Sequence, residues 1–229
     1  MELVQDNLPP AAAFEITAEA PADIVAREAL LDRAMGVNRK RKSSEKLRRG
    51  RLPAEGLVFV ARDAVGRLVG TVRLWDVAVK LPISPSSGET GGGNAAALLL
   101  GPLAVDPCAK SAGIGSALMR HAIAEARRLG HGAIVLVGDE AYYGRFGFSS
   151  AATGRLAMPG PFEKHRLLAL ELEPGALAGA EGVIVATGRA AARLRRAAFD
   201  QSRYPRSSTA ARTATSPPTC RRRPSACPA

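Results

Sequence analysis

Aromatic side chains make up only 4% of this 229-residue chain, and cysteine occurs three times. A core must therefore be filled by Leu, Val, Ile and Ala, which the 46% hydrophobic content allows. Cys108, Cys220 and Cys227 are odd in number and show no CxxC spacing, which argues against a disulfide framework and a zinc site. The N-terminus, MELVQDNLPP, has early acids and no apolar h-region, so no secretory signal is read. The longest apolar stretch, Ala95 to Val105, is interrupted by Gly101 and Pro102 and falls short of the ~20 residues of a bilayer span. There is no HxxxH and no GxSxG, so neither a helical metal pair nor a nucleophile elbow is offered. The expectation is a soluble protein of the reducing cytoplasm, with no metal and no membrane partner.

Positive charge is in excess, at +11, but it is unevenly placed. Residues 189–229 hold ten Arg, no Lys and one Asp, so nine of the eleven net charges belong to that stretch. It is rich in Arg, Ser, Thr, Pro and Ala with no apolar period, and is expected to be a basic, disordered tail. A second basic run, RKRKSSEKLRRGR at 39–51, has eight cations and one acid. It reads as a solvated loop and helix face, with Ser43 or Ser44 capping a short helix around Glu45 to Arg49. The alternative is a rim that attracts an anionic ligand.

Between these runs the chain alternates strands and helices. Phe14–Thr17 reads as a strand, and PADIVAREALLDRAMG as a helix opened by Pro21 and ended by Gly36. Its apolar stripe is Ile24, Val25, Ala29, Leu30 and Ala34. Residues 56–62 and 67–79 read as a hairpin linked by Asp63 to Gly66. Residues 81–94, LPISPSSGETGGGN, are a loop by composition. A strand from about Ala97 to Val105 precedes a helix over 113–129 with a stripe of Ile114, Leu118, Ala122, Ala126 and Leu129. AIVLVGD at 133–139 has the continuous apolar character of a strand buried on both faces. AYYGRFGF reads as a short helix and turn, 165–177 as an alternating strand, and GVIVATG as one more.

The informative stretch is VDPCAKSAGIGSALMRHAIAEARRLG, residues 105–130, which has no acid between Pro107 and Glu125. A strand, a glycine-containing loop and a helix N-terminus make an anion site. The first helical N–H groups lack partners and the macrodipole adds about half a positive charge. Gly113 and Gly115 let backbone approach a ligand, and Lys110 adds a cation. A P-loop is ruled out because no Gly-Lys-Ser/Thr follows, and a dinucleotide fingerprint fits poorly, with Leu118 at its third site. A lone GxG leaves ligand binding and a tight strand–helix turn both open.

Two landmarks together resemble the GCN5-related N-acetyltransferase (GNAT) superfamily. Its Q/R-x-x-G-x-G/A loop is matched by Lys110-Ser111-Ala112-Gly113-Ile114-Gly115 after Val105 and Pro107. Its Tyr four residues before a Gly-Phe pair is matched by Tyr143 with Gly147 and Phe148. GDEAYYGRFGF with GPFEKHRLLALELEPGALAGAEG is similar to the YhbS-like predicted acetyltransferases. The likeness covers about residues 12–188, leaving an N-terminal extension at 1–11 and the tail at 189–229. Lys110 departs from the family's Gln or Arg, keeping charge but losing the planar fork. Ser111 and Ala112 replace the commoner Gly and Lys/Arg.

The resemblance implies an α+β (α/β) fold: a central mixed, mostly antiparallel twisted sheet with splayed fourth and fifth strands, flanked by helices. It implies direct acetyl transfer from acetyl-CoA, a co-substrate, to a primary amine of a small molecule, peptide or protein. Leu103, Ala104 and Val105 would bind pantetheine through backbone groups, with an N–H polarising the thioester oxygen. Lys110, Ser111, Ala112, Gly113, Ile114, Gly115 and Ser116 would hold the pyrophosphate. Tyr143 would protonate the departing thiolate. Asp76, Asp139, Glu140, His121 and relayed water stay open as the base. His165 and Cys108 are expected to be structural, and Phe146 and Phe148 to be core. Homodimers are common in the family. The rival readings are a non-catalytic acyl-CoA-binding regulatory module and a basic nucleic-acid-associated protein. The last lacks an RNP motif, a recognition helix and an aromatic stacking set.

Overall fold

One long strand organises the sheet. The computed structural model describes residues 14–81 and 93–191. β1 (Phe14–Ala18) leads through a 3-10 turn into helix α1 (Ile24–Met35) and then α2 (Ser43–Arg48). β2 (Val58–Asp63), β3 (Leu68–Lys80) and β4 (Asn94–Val105) follow as an antiparallel run. Then come α3 (Ile114–Arg128), β5 (Ala133–Val137), the one-turn α4 (Glu140–Tyr143), β6 (Leu156–Ala157), β7 (Leu167–Glu171) and β8 (Glu181–Ala186). The expected N-terminal extension, the loop across 82–92, and the tail from 192 with Cys220 and Cys227 lie outside the described residues.

The main strand order is β1-β2-β3-β4-β5-β7. β3 has 13 residues and is paired along both edges. β2 takes Leu68 to Arg73 on one edge, β8 takes Val77 to Lys80 further along, and β4 runs beside β3 from Gly70 to Lys80. Among the described residues only β4–β5 and β6–β8 are parallel. The sheet is mixed and mostly antiparallel, as expected. The β2–β3 turn closes where Gly66 adopts φ +79°, its N–H donating to the Asp63 carbonyl at 2.9 Å.

Both faces of β3 are covered, so its alternation separates two cores rather than core from solvent. Val72 and Leu74 meet Ile114, Leu118 and Ala122 of α3. On the other face Leu30 and Leu31 of α1 pack with Val60 and Ala104, and Leu47 of α2 packs in the cluster of Trp75 and Val77. Gly70 is required here, because a Cβ would lie 2.8 Å from Ile114 Cγ2 and 2.9 Å from Leu118 Cδ1.

Several expectations are corrected. The α1 stripe is not Ile24, Val25, Ala29, Leu30 and Ala34. Val25 is 81% exposed, and the buried positions are Asp23, Arg27, Leu30 and Leu31. Arg27 occupies the inner face because Glu19, also buried, pairs with it and with Arg73. A charged pair thus fills a place where an apolar residue was sought. Neither Ser43 nor Ser44 caps α2: Lys42 is the N-cap residue and no side chain caps it. Leu129 sits just past the end of α3 and is exposed, while Met119 and Ile123 join the buried face. The strand expected across 165–177 is only Leu167–Glu171, and turns carry the chain to β8. Arg189, Ala190 and Ala191 pair with residues 50–52: Ala191 N–H donates to the Gly50 carbonyl at 2.9 Å, and Leu52 N–H to Arg189 at 2.8 Å.

Candidate active site

β4 and β5 pair only at Leu98–Ile134 and Leu99–Val135. Beyond these residues β4 continues to Val105 and β5 to Val137 without pairing, and the sheet opens into a gap. A bulge in β4 helps. Leu74 faces Leu100 and Val72 faces Leu103, so Gly101 and Pro102 together oppose Arg73. Proline has no N–H for a ladder, and a bulge is where a strand accepts one. The Gly101 carbonyl accepts from Trp75 Nε1 at 2.6 Å.

The ladder's period fixes which groups face the gap. Asp106 N–H donates to the Val69 carbonyl at 2.8 Å, and Ala104 faces Thr71. Backbone groups alternate sides along a strand. The N–H and C=O of Leu103 and Val105 therefore point away from β3, into the gap. Ala104 turns its own toward β3.

The strand then enters the glycine turn. Asp106 is buried; its carboxylate accepts from Cys108 N–H at 3.0 Å and from Arg33 at 2.8 Å. The Arg33 guanidinium, with the Cys108 amide, holds this carboxyl below its usual range. Its charge is thus answered on the α1 side. Ser111 has φ +68° and Gly113 φ +74°, and the chain passes into α3 with no side chain capping it. The first N–H groups of α3 lack side-chain partners. Gly115 lies in the first turn, where a Cβ would sit 3.0 Å from the Tyr142 hydroxyl.

α4 brings two tyrosines to the gap. Asp139 caps it, accepting from Ala141 N–H at 3.2 Å. The Tyr143 ring lies over Gly138, where a Cβ would fall 2.1 Å from Tyr143 Cε2. Burial, reinforced by Tyr142, pushes the Tyr143 hydroxyl up to about 12, against a smaller opposing effect of Arg166. It is a protonated donor at neutral pH. The Tyr142 ring stands edge-on to it at 4.9 Å and is covered by Arg145 at 4.1 Å.

These groups line one cavity of about 630 Å³, together with α1, α2 and Trp75. Its walls carry seven cations and three carboxylates. The carboxylates are all engaged. Glu28 is partly buried, which disfavours its charge, but hydrogen bonds from Arg27 and Arg39 prevail and hold it at about 2. Glu45 pairs with Arg48 at 3.1 Å, and Asp139 caps α4.

Residues 54–150 match the acetyltransferase (GNAT) domain. The chain is 29% identical over 169 residues to the uncharacterized N-acetyltransferase YhbS of Escherichia coli, covering 74% of this chain and 93% of that protein. The crystal structure of Escherichia coli YhbS in complex with CoA is similar at TM-score 0.62 and 29% identity, over 79% of this chain and 93% of that one. Over residues 54–150 this chain is similar to GNAT acetyltransferases. A GNAT family acetyltransferase from Brucella melitensis, crystallised with acetyl-CoA, is 25% identical over 70% of this chain and 97% of that one, at TM-score 0.46.

Within this fold the expected site residues divide. Leu103, Ala104, Val105, Gly115 and Tyr143 line the cavity. Lys110, Ser111, Ala112, Gly113 and Ser116 form the adjoining turn and helix start. The Ile114 side chain is buried against Gly70, leaving only its N–H for a ligand. Of the candidate bases, only Asp139 lines the cavity. His121 stacks edge-on against Phe59 at 4.5 Å, Glu140 lies in α4 outside the lining, and Asp76 sits on β3 beside Gly188. His165 is exposed and pairs with Glu163 at 3.5 Å. Cys108 is a free, exposed thiol in the turn. Phe148 is core, and Phe146 packs at its edge. Gly138, Tyr142, Trp75, Arg73 and Arg48 were not foreseen. The doubled tyrosine and the basic run were their only signals. Among the described residues no helix is long and apolar enough to cross a membrane, and no group of three or more His, Cys, Asp or Glu is placed to hold a metal.

Proposed function

We propose that this chain is an acetyl-CoA-dependent N-acetyltransferase that acetylates a primary amine directly, in a catalytic domain drawn from the sequence as 12–188. The observation that carries this reading is the gap between β4 and β5, which runs from the free N–H groups of α3 to a protonated tyrosine. Acetyl-CoA would supply an activated acetyl thioester. The α3 N-terminus and the turn from Lys110 to Ser116 would receive its pyrophosphate. Leu103 and Val105 would pair with the pantetheine amides as a further strand would, and one of their N–H groups would face the thioester oxygen. Tyr143 would give its hydroxyl proton to the departing thiolate.

Of the cavity carboxylates Glu28 and Glu45 are paired with arginines, while Asp139 accepts only the Ala141 N–H through one oxygen and keeps the other for a proton. Seven cations around the gap favour the neutral form of a bound amine over its ammonium. Proton removal would then fall to Asp139 or to water in contact with the β4 carbonyls. The exposed Cys108 thiol suits a reducing cytoplasm, which is part of the proposal.

The test is calorimetric titration of acetyl-CoA, followed by thiol release with an amine panel. Tyr143→Phe should lower kcat by ~10²–10⁴ and leave CoA affinity within about twofold. Binding without turnover across the panel would favour a regulatory acyl-CoA-binding module instead.

A further inference from the structure

The cations of the cavity are not all accounted for by their neighbours. Arg27, Arg39 and Arg73 pair with Glu19, Glu28 and Asp32. Among the described residues Lys40 and Lys42 have no ion-pair partner, and both line the cavity. Arg48 is the unusual one. Its side chain is nine-tenths buried and its Nε is buried without any hydrogen-bond partner. Among the described residues its one ion pair is to Glu45 at 3.1 Å, through the same terminal nitrogen that donates to Ser44 Oγ at 3.4 Å. Gly101, at φ +137°, makes room for it: a Cβ there would lie 3.2 Å from Arg48 Nη1. Burial lowers its pKa despite Glu45, the sign of a cation with too few partners. A buried unsatisfied donor costs about 1–3 kcal/mol, so the guanidinium calls for a further partner.

The CoA phosphates already have donors in the first N–H groups of α3. The turn suited to them is at the α3 end, whereas Arg48, Lys40 and Lys42 belong to the segment from 37 to 48. An amine arriving as ammonium would be repelled by this wall unless its own molecule carried compensating charge. We propose that the acceptor carries an oxyanion, a carboxylate or phosphate ester, that seats on Arg48 with Lys42 beside it. The anion draws the acceptor in, and the remaining cations keep its amine neutral. This rests on the acetyltransferase reading for its chemistry, although the anion site can be tested without turnover.

The experiment titrates product analogues into the full-length protein with and without CoA. The probes are N-acetylglycine and 6-acetamidohexanoate, their carboxamides, and N-acetylphosphoethanolamine. At least one anion should bind about tenfold or more tighter than its neutral counterpart. Comparing the acetamido acids with the phosphate ester tells the two oxyanions apart. Arg48→Met should abolish the preference, and the exposed Lys42→Gln should weaken it, while CoA affinity stays within about twofold. The Lys42 variant covers the case in which Arg48→Met fails to fold. Equal binding of anion and amide, or a preference unchanged in both variants, overturns the proposal. Parallel loss of CoA affinity also overturns it, assigning the cations to the cofactor. If CoA itself fails to bind, the acetyltransferase reading falls, and the apo titrations still decide the anion site.

Discussion

The two ends of the cavity are built from different materials. At the α3 end the groups on offer are backbone N–H donors, shaped by Ser111, Gly113 and Gly115. At the α1–α2 end they are side-chain charges held in place by other charges: Glu28 between Arg27 and Arg39, and Glu45 beside Arg48. A backbone site depends on dihedral angles and steric room more than on which side chains stand at Lys110, Ser111 and Ala112. A side-chain wall depends on tertiary partners, so a single substitution changes both the charge and the neighbours it organised.

The sharpest way to break the α3 end is Gly115→Glu. A side chain there meets the Tyr142 hydroxyl, and its charge opposes an anion at the helix N-terminus. Losing two charge-assisted contacts costs about 3 kcal/mol or more, so CoA affinity by calorimetry should fall at least ~100-fold. Unchanged affinity would place the pyrophosphate elsewhere.

Between the two ends, Gly138→Ala separates catalysis from binding. The added methyl must displace the Tyr143 ring, 2.1 Å away, but touches neither the α3 turn nor Arg48. A misplacement of this kind costs ~10²-fold, so kcat should fall roughly that far with CoA affinity retained. An unaffected kcat would remove Tyr143 from the chemistry.

The same contrast explains what could be read from sequence. The α3 end is local: strand, loop, glycines and helix lie within 105–130, and Tyr143 follows at fixed spacing. The apolar runs on either side of that motif marked β4 and β5 as strands, whereas their splay was implied by the family resemblance the motif carries. The α1–α2 wall draws residues from 27 to 166 together, and no period or spacing encodes that. Arg27 shows the reason. A buried guanidinium breaks the apolar stripe of α1 and is intelligible only with Glu19 from outside the helix. Likewise β6 has two residues, too few to leave a pattern.

The α1–α2 end has its own signature in pH. Glu28 stands at about 2 against a reference of 4.5. A lowered folded pKa means that its contribution to stability is complete above pH 4.5 and is lost as pH falls toward 2. Glu28→Gln should flatten part of the acid limb of urea-midpoint against pH. The effect is modest, since the side chain is 38% exposed. An acid limb identical to that of the unmutated protein would show that Glu28 does not hold Arg27 and Arg39 together.

The smallest effect probes the backbone character of the α3 end. Ser111 holds φ +68°, a conformation that costs an L-residue about 1–2 kcal/mol, while glycine gives back roughly 0.5–1 kcal/mol through its freer unfolded chain. Ser111→Gly should therefore stabilise by about 0–1.5 kcal/mol, read from the urea midpoint. If the turn acts through N–H groups alone, CoA affinity should stay within about twofold. A severalfold loss of affinity at unchanged stability would make the Ser111 hydroxyl a ligand group. The contrast would then weaken, since both ends would rely on side chains.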